Sequence, residues 1–393
     1  MGDAQRLSPE EQIRQAREAF DGGQDFTIAV EEEFALLDPE TLELTNRFEE
    51  LKAAAAGTEL DDHLVGELIA SEIEVKTGRC ATFAEAAELM AVRRAQLAEL
   101  VDRFDVALAS TGTHPWSRWQ DQRIIDTPHY RRNNEILQYV VWRNNSFGMH
   151  AHIGIRGADR AIAVCNAFRN VLPELLALST SSPFIEDVAS GLHSTRTEIF
   201  TKLFPRAGIP DVYDGWAGFE EYVRFLYATR SIDEHTQLWW SVRPHLAFPT
   251  VEVRICDAQT RGDESFALAG LIAACIAQTA LEYDEHGYGG AGRPLEDREI
   301  DENLWRAIRY GMGGRLIDFR RGGAEVEAAA ALESLLAWTE PARSRLGIEV
   351  ELPGRNGAQR AISSLEAGAS IEEIYRDAVR ETRRTYTAAK QTA

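Results

Sequence analysis

Residues 27–38 form the stretch that most restricts how this chain folds. They read Thr-Ile-Ala-Val-Glu-Glu-Glu-Phe-Ala-Leu-Leu-Asp, so three consecutive carboxylates lie inside an apolar segment with the composition of a strand. Because side chains alternate across a strand, Glu31 and Glu33 share one face and Glu32 points to the other. Two neighbouring carboxylates repel each other and are costly to remove from water. The pattern indicates half of a divalent-metal site; a solvated edge strand is the alternative.

Three further predicted strands repeat this spacing of polar residues two positions apart. The pairs are Glu72/Glu74 in residues 67–77, His150/His152 in residues 145–155 and Glu252/Arg254 in residues 239–257. One such pair is weak evidence, but four in one chain predict a sheet with one polar face lined by carboxylates and imidazoles. This mixture suits Mg²⁺ or Mn²⁺ better than Zn²⁺. For the last pair, an internal ion pair is the alternative.

The charge of the chain restricts its ligands. Its 393 residues carry a formal net charge of -21. A surface of this sign repels nucleic acids and anionic membranes, so we predict neither as a partner. A nucleotide would need local cations, and residues 194–210 concentrate three of them, Arg196, Lys202 and Arg206. The segment is interpreted as anion-binding, with an ordinary surface helix as the alternative.

The N-terminal segment and the cysteines indicate the compartment of the protein. Ser8 and Glu11 form a capping box that opens a predicted helix over residues 8–20, and this segment lacks the apolar core of a signal peptide. No run approaches the roughly 18 apolar residues of a membrane span. The 4 cysteines are widely spaced without a C-x-x-C motif, which is typical of reduced thiols. We therefore expect a cytoplasmic protein.

Helical periodicity dominates between and after the predicted strands. The predicted helices span residues 46–56, 82–108, 129–142, 158–178, 218–230, 263–282, 297–311, 324–345 and 370–389. No linker divides the chain, so we predict a single catalytic domain over residues 1–393 that ends in C-terminal helices over 324–389.

The sequence lacks the motifs of several well-known enzyme classes. It contains no G-x-x-x-x-G-K-[ST] phosphate loop, no G-x-S-x-G elbow and no protein-kinase signature set. Phosphoryl transfer on the polar face of a sheet, as in glutamine-synthetase-like enzymes, fits the remaining pattern.

Five blocks of sequence, in order, resemble the glutamate–cysteine ligase type 2 family of carboxylate–amine ligases. They are V-E-E-E-F at residues 30–34, S-E-I-E-V-K-T-G at 71–78, G-M-H-A-H-I-G-I at 148–155, Arg196 with L-F-P-R-A-G at 203–208, and P-T-V-E-V-R-I-C-D at 249–257. The resemblance spans residues 26–320. It implies an α+β fold with a curved, mainly antiparallel sheet flanked by helices, like glutamine synthetase and glutamate–cysteine ligase.

The resemblance also implies a reaction. ATP phosphorylates the γ-carboxylate of glutamate, and an amine such as cysteine attacks the acyl phosphate to give a γ-glutamyl amide, as in glutathione biosynthesis. The resemblance further implies Mg²⁺ or Mn²⁺ as the metal and suggests a homodimer. The implied metal ligands are Glu31, Glu33, Glu74, His150 and Glu252.

The same resemblance implies roles for the basic residues. Arg254 contacts the phosphate that is transferred and forms, with Glu252, the catalytic pair. Arg196, Arg206 and Lys202 bind the substrate carboxylate or ATP.

Two departures and two alternative functions accompany this interpretation. Glu72 stands where the family often has Gln, and Ser181 stands where Asn is expected before Ser-Pro-Phe, so both positions bear on substrate choice. A phosphagen-kinase-like transfer to a guanidino group would need a reactive thiol; the candidate is Cys256, expected on the strand face opposite Glu252 and Arg254. The other alternative is a non-catalytic relative that binds metal or nucleotide.

Overall fold

The protein folds around one antiparallel sheet. The computed structural model describes residues 8–287 and 294–391. The strands are β1 Ile28–Leu37, β2 Leu64–Val65, β3 Glu72–Lys76, β4 Ala107–Ala109, β5 Gly148–Gly154, β6 Phe184–Ile185, β7 Val188–Ala189, β8 Ala207–Gly208, β9 Trp239–Trp240, β10 Val242–His245, β11 Thr250–Asp257, β12 Arg315–Asp318 and β13 Ala324–Glu327. The main sheet has the order β10–β11–β5–β1–β3–β2, with β4 also beside β1, and these neighbours pair antiparallel.

Helices cover one face of this sheet and extend beyond it. They are α1 Pro9–Asp21, α2 Phe48–Ala55, α3 Phe83–Asp102, α4 Pro128–Leu137, α5 Tyr139–Trp142, α6 Ala158–Phe168, α7 Leu172–Ser179, α8 Thr195–Leu203, α9 Gly215–Ala228, α10 Gly262–His286, α11 Asp297–Tyr310, α12 Ala328–Trp338, α13 Glu340–Leu346, α14 Gly357–Glu366 and α15 Ile371–Gln391. The predicted α+β fold with a mainly antiparallel sheet is confirmed.

The apolar face of the sheet forms the protein core. Val30, Ile153 and Val251 project from three adjacent strands into a cluster with side chains of α6, α7 and α10. At the other end of β1, Phe34 packs with Val75 and with side chains of α3. Burial of these side chains fixes which face of each strand meets the helices, because a one-residue slip would turn the whole apolar set outward. The same alternation places the polar partners of these residues on the opposite face.

Glu32 is a charged member of this buried face. Its carboxylate accepts a hydrogen bond from Nε of Arg94 at 2.6 Å, a second from Nη2 of Arg94 and a third from the hydroxyl of Ser265. The ion pair joins β1 to α3 and α10. Glu32 therefore lies on the face opposite Glu31 and Glu33, in the position that strand alternation predicts.

Two predicted elements near the sheet end differently in the structure. The strand predicted over residues 67–77 begins at Glu72, because residues 68–70 leave the sheet and bond to the segment 123–125. The helix predicted to reach residue 108 ends at Asp102. Asp105 then adopts a left-handed φ of 52°, which turns the chain so that β4 pairs with β1.

The C-terminal third is less continuously helical than predicted. The segment predicted as one helix over residues 324–345 starts with β13, which pairs with β12, and continues as two helices that meet at Thr339. A further helix, α14, was not predicted. Asn356 is its N-cap residue, and the side chains of Asn356 and Gln359 form a capping box there.

Within residues 8–287 and 294–391, two helical runs are long and apolar enough to cross a membrane, although the sequence predicts none. They are Ala158–Ser179 and Gly262–His286, and 94% and 89% of their most apolar windows are buried inside the protein. Both runs therefore serve as core helices that contact the sheet or each other.

Loss of Arg94 should expose the cost of burying Glu32. In Arg94→Met, the carboxylate remains buried without its cation, so we expect the free energy of unfolding to fall by about 3–5 kcal/mol in urea denaturation. The double variant Arg94→Met/Glu32→Gln should recover part of this loss. A single-variant loss below about 1 kcal/mol would contradict this account.

Candidate active site

The second face of the main sheet is polar. Strand register brings its residues together: Glu31 lies opposite His150 and Lys76, Glu33 opposite Glu74, and Glu252 opposite both His152 and Arg243. We call this surface the polar face. Its members are Glu31, Glu33, Glu72, Glu74, Lys76, His150, His152, Arg243, Glu252 and Arg254. All five predicted metal ligands lie on it.

Glu31 and Glu33 lie close to the imidazoles of β5. The carboxylate of Glu31 lies 3.4 Å from Nδ1 of His150 and 3.5 Å from Nε2 of His152, and Glu33 lies 3.5 Å from Nε2 of His150. These separations exceed those of charge-assisted hydrogen bonds, about 2.7–2.9 Å. The other oxygen of Glu33 accepts the backbone N–H of Gly148, which fixes its carboxylate at the start of β5.

Two of the carboxylates are held ionised by neighbouring cationic groups. Burial opposes the charge of Glu31, but His152, His150 and Lys76 together hold its pKa well below the usual range. Burial also opposes the charge of Glu252, but Arg243, Arg254 and His152 outweigh burial and hold the pKa of Glu252 well below the usual range.

Three other carboxyl groups are held towards the neutral form. Burial, together with the charges of Glu33, Glu67 and Glu74, raises the pKa of Glu72 well above its usual range. Burial and the charges of Glu31 and Glu67 do the same for Glu74. The pKa of Glu67, just before β3, is raised to about 7 by burial and by Glu33. The polar face thus carries more carboxyl groups than its own cations neutralise.

The donor atoms of the polar face fit a divalent metal. Three overlapping groups each bring their ligand atoms within 4.8 Å of one another: Glu31, Glu74 and His150; Glu31, His152 and Glu252; Glu33, Glu67 and Glu74. Opposite ligands of Mg²⁺ lie about 4 Å apart, since each bond measures about 2.0–2.1 Å. Nε2 of His150 and of His152 is buried without a hydrogen-bond partner in the described part of the chain. Unsatisfied imidazole nitrogens among carboxylates are suited to a cation.

Glu67 and His152 extend the set of possible ligands beyond the sequence-based one. Nδ1 of His152 lies 3.1 Å from the hydroxyl of Thr250. The pattern of polar residues two positions apart did not identify Glu67, because its segment lies outside the strand that begins at Glu72. Its proximity to Glu33 and Glu74 comes from tertiary structure alone.

Two arginines donate hydrogen bonds to Glu252. Nε of Arg243 donates to Oε2 of Glu252 at 2.7 Å, and Nη1 of Arg254 donates to Oε1. Nε of Arg254 is buried and has no hydrogen-bond partner among residues 8–287 and 294–391. The ion pair expected as the alternative for Glu252 and Arg254 therefore exists, and it leaves one donor of Arg254 for a ligand.

Arg196 lies at the edge of the polar face. Its guanidinium approaches the carbonyl oxygens of Arg254 and Ile255 at 3.3–3.5 Å, and its Nε is buried without a partner in the described chain. A Cβ at position 148 would lie 2.2 Å from Nη2 of Arg196, so only Gly148 leaves room for this side chain. Arg196 thus offers a buried cationic donor beside β5 and β11.

A buried carboxylate fixes the helix that carries Arg196. Asp257 accepts hydrogen bonds from the backbone N–H of Ser181 at 2.9 Å, from the hydroxyl of Ser182 at 2.7 Å and from the hydroxyl of Ser194 at 2.9 Å. Ser194 caps the N-terminus of α8. The serine-rich turn therefore ties the end of β11 to the start of α8 by means of Asp257.

The structure does not bring Lys202 and Arg206 to the polar face. Lys202 is 56% exposed and its ammonium lies 3.6 Å from Asp301 of α11. The guanidinium of Arg206 packs over the ring of Trp239, and its Nε donates to the carbonyl of Gln237 at 3.0 Å. Residue spacing along α8 explains the difference, since Arg196 lies at the buried N-terminal end of the helix and Lys202 at its exposed C-terminal end.

Cys256 faces the core rather than the polar face. A β-bulge between Val253 and Cys256 shifts the register, so that Cys256 lies opposite Met149 within the apolar cluster. In an uninterrupted strand, Cys256 would share the face of Glu252 and Arg254. Burial raises the pKa of its thiol to about 12.

Replacing Glu72 with Gln should stabilise the metal-free protein. Because the pKa of Glu72 is raised, this side chain lowers the free energy of unfolding at pH values above 4.5, its ordinary pKa. Above that pH, the folded protein must either keep a proton on Glu72 or hold its charge among like charges. In the presence of a chelator at pH 8, we expect Glu72→Gln to increase the free energy of unfolding by about 0.5–2 kcal/mol, and this gain should shrink as the pH falls towards 4.5.

The matched control is Glu32→Gln, the same substitution at a carboxylate paired with arginine. It should lower the free energy of unfolding, because the buried guanidinium of Arg94 loses its counter-charge. Equal losses in the two variants would contradict the assignment of Glu72 to an overcrowded acidic cluster.

Comparison with known proteins places these features in a family. Residues 27–388 match the model of glutamate-cysteine ligase family 2 (GCS2). A protein of Sorangium cellulosum named "Putative glutamate–cysteine ligase 2" is 40% identical over 329 residues, which cover 83% of this chain and 86% of the relative. A protein of the same name from Solibacter usitatus is 36% identical over 363 residues, which cover 91% and 93%.

Two solved structures share the fold at low sequence identity. Glutamate–cysteine ligase of Francisella tularensis in complex with AMP is 13% identical with a TM-score of 0.63, covering 92% of this chain and 89% of that one. A bifunctional glutathione synthetase of Pasteurella multocida is 12% identical with a TM-score of 0.66, covering 97% and 54%. From the match over residues 27–388 and the identity with these relatives, we conclude that the chain belongs to glutamate–cysteine ligase family 2.

Proposed function

We propose that the protein is an ATP-dependent ligase that joins the γ-carboxylate of glutamate to an amine, through an acyl phosphate, and that cysteine is the first amine to test. One observation carries the proposal: a largely buried face holds clustered carboxyl groups together with two guanidinium groups, Arg196 and Arg254, whose Nε donors lack partners in the described residues. Carboxylates without enough cations suit metal ions, and free guanidinium donors suit phosphate or carboxylate oxygens.

The ligands of the polar face would hold Mg²⁺ or Mn²⁺. We assign this role to Glu31, Glu33, Glu74, His150 and Glu252, and the side chains of Glu67 and His152 lie close enough to join them. When bound, the ions neutralise the phosphates of ATP and withdraw charge from the γ-phosphoryl group. Lys76, 3.3 Å from Glu74 and 3.7 Å from Glu31, keeps these two carboxylates oriented at the edge of the site.

The proposed reaction consists of two successive nucleophilic displacements. An oxygen of the glutamate γ-carboxylate attacks the γ-phosphorus, the bond to the bridging oxygen breaks, and ADP leaves. The amine nitrogen then attacks the acyl carbon, the carbon–oxygen bond to phosphate breaks, and the nitrogen loses a proton as phosphate leaves. Neither step needs a covalent protein nucleophile, so the protein contributes orientation, charge stabilisation and exclusion of water.

The two arginines have different tasks in this scheme. Arg254 lies beside Glu252 in the middle of the polar face, and its unpartnered Nε would donate to the phosphoryl group as charge moves onto the leaving oxygen. Arg196, held by Asp257 and the serine turn at the edge of the face, would bind a carboxylate or phosphate of the substrate. A cytoplasmic location fits both ATP and reduced cysteine as substrates.

Nothing in the placement of the cysteines favours transfer to a guanidino group. All four cysteines are buried, and the pKa of Cys256 is raised by its burial. A reactive thiol is instead expected in a partly exposed, electropositive environment. The remaining alternative, a relative that binds metal and nucleotide without turnover, is decided by the assay below.

The direct test is a coupled assay with ATP, Mg²⁺, glutamate and a panel of amines headed by cysteine. We expect release of ADP and phosphate together with a γ-glutamyl product identified by mass spectrometry. Arg254→Met should lower kcat by about 10²–10³-fold, because a donor to the developing charge is lost. Glu31→Gln should abolish turnover, because Glu31 belongs to two of the three groups of potential metal ligands.

Lys202→Ala is the control, because it removes an exposed cation of α8 that pairs with Asp301 and should leave kcat unchanged. A lack of turnover with every amine, together with a lack of divalent-dependent ATP binding, would contradict the ligase assignment. Metal-dependent ATP binding without any product would support the non-catalytic alternative, and a phosphorylated guanidino compound would support the kinase alternative.

A further inference from the structure

Arg243 is an arginine of the polar face that sequence patterns did not single out. It lies on β10 directly opposite Glu252 of β11, and its side chain is 8% exposed. Its Nε donates to Oε2 of Glu252 at 2.7 Å, and its Nη1 donates to the carbonyl oxygens of Thr236, at 3.1 Å, and Leu238. These contacts on two sides fix the guanidinium within the protein.

Arg254 meets the same carboxylate in a different way. Its Nη1 donates to Oε1 of Glu252, and Nε2 of His152 lies 3.8 Å from the same oxygen. Its Nε is the buried donor that has no partner in the described chain. Each arginine therefore bonds to a different oxygen of Glu252, and the Nε donor of Arg254 is left for a ligand.

Occupation of Oε2 determines how Arg254 can bind. A carboxylate with two free oxygens favours the two-pronged pairing with a guanidinium, in which two N–H groups are consumed. Nε of Arg243 already donates to Oε2, and the positive charge of Arg243 disfavours the approach of a second guanidinium to that oxygen, so Arg254 bonds to Oε1 alone. The charge of Arg243 also lowers the electron density that Glu252 offers to any other cation, since an arginine beside a carboxylate stabilises its charge.

We propose that Arg243 is a positioning residue for the ligase reaction. It bonds to one oxygen of Glu252, so that Arg254 stays singly bonded with its Nε directed at the transferred phosphoryl group. It also lowers the affinity of Glu252 for the divalent ion. The catalytic part of this inference rests on the proposed function. The effect on metal affinity does not, because it concerns the polar face without nucleotide.

The test compares Arg243→Met with the wild-type protein in two independent measurements. Steady-state kinetics should show kcat reduced by about 10- to 100-fold with the KM for ATP changed by less than about threefold, because Arg254 is misdirected only for the step of phosphoryl transfer. Titration of the nucleotide-free protein with Mn²⁺, followed by the electron paramagnetic resonance of free Mn²⁺, should show binding several-fold tighter, because Glu252 has lost one counter-charge.

Two further variants separate this role from a purely structural one. Gln237→Met removes hydrogen bonds to Asp233 and Asn133 in the segment that Arg243 also holds, without touching Glu252, and should leave kcat and Mn²⁺ affinity unchanged. Arg243→Lys keeps a positive charge but cannot reproduce all three contacts. It should restore Mn²⁺ affinity to near the wild-type value and restore kcat only in part.

Unchanged or weaker Mn²⁺ binding in Arg243→Met would overturn the inference, and so would losses of kcat that Gln237→Met reproduces. If Arg243→Met does not fold, Arg243→Lys decides, because an unaltered kcat in that variant contradicts a requirement for the three-contact geometry. An inactive wild-type protein would contradict the proposed function instead, while the Mn²⁺ comparison would still test the pairing of Arg243 with Glu252.

Discussion

Crowding of carboxyl groups on one face of the sheet is the constraint on which this structure depends. Glu31 and Glu252 have cationic neighbours that keep their pKa low, whereas Glu67, Glu72 and Glu74 have mainly one another and are pushed towards the neutral form. Such an arrangement is costly in the protein alone and would become favourable if divalent cations entered it. With such ions bound, a protein of net charge -21 would gain a local positive potential towards which phosphates can move.

The opposite face of the same strands supplies the stability that this crowding requires. β1 illustrates the division, since its three consecutive glutamates have different surroundings that depend only on side-chain direction. Glu32 is matched by Arg94 and Ser265 and joins the sheet to two helices, while Glu31 and Glu33 face the imidazoles of β5. The apolar side chains between them fix the register, and so prevent the acidic residues from exchanging faces.

Local alternation along strands was enough to predict the sheet and its polar face, and the family resemblance singled out Glu31, Glu33, Glu74, His150 and Glu252 on that face. It was not enough where chain segments far apart in sequence meet. Glu67 reaches the site from a segment outside the sheet. Arg243 faces Glu252 because residues 239–257, read as a single strand, contain β9 and a hairpin of β10 and β11. Composition pointed to Lys202 and Arg206, but helix geometry turns Lys202 to solvent and packing commits Arg206 to Trp239.

Because of its β-bulge, strand β11 contributes side chains to the polar face at one end and to the core and the serine turn at the other. Glu252 before the bulge and Arg254 within it face the carboxylates; after it, Cys256 enters the core and Asp257 reaches the serine turn that anchors Arg196. The number of residues in the bulge therefore sets the position of Arg254 relative to Arg196. Deleting one residue there would restore strict alternation, so members of a lineage that retain this chemistry should tolerate substitutions in β11 far better than changes in its length.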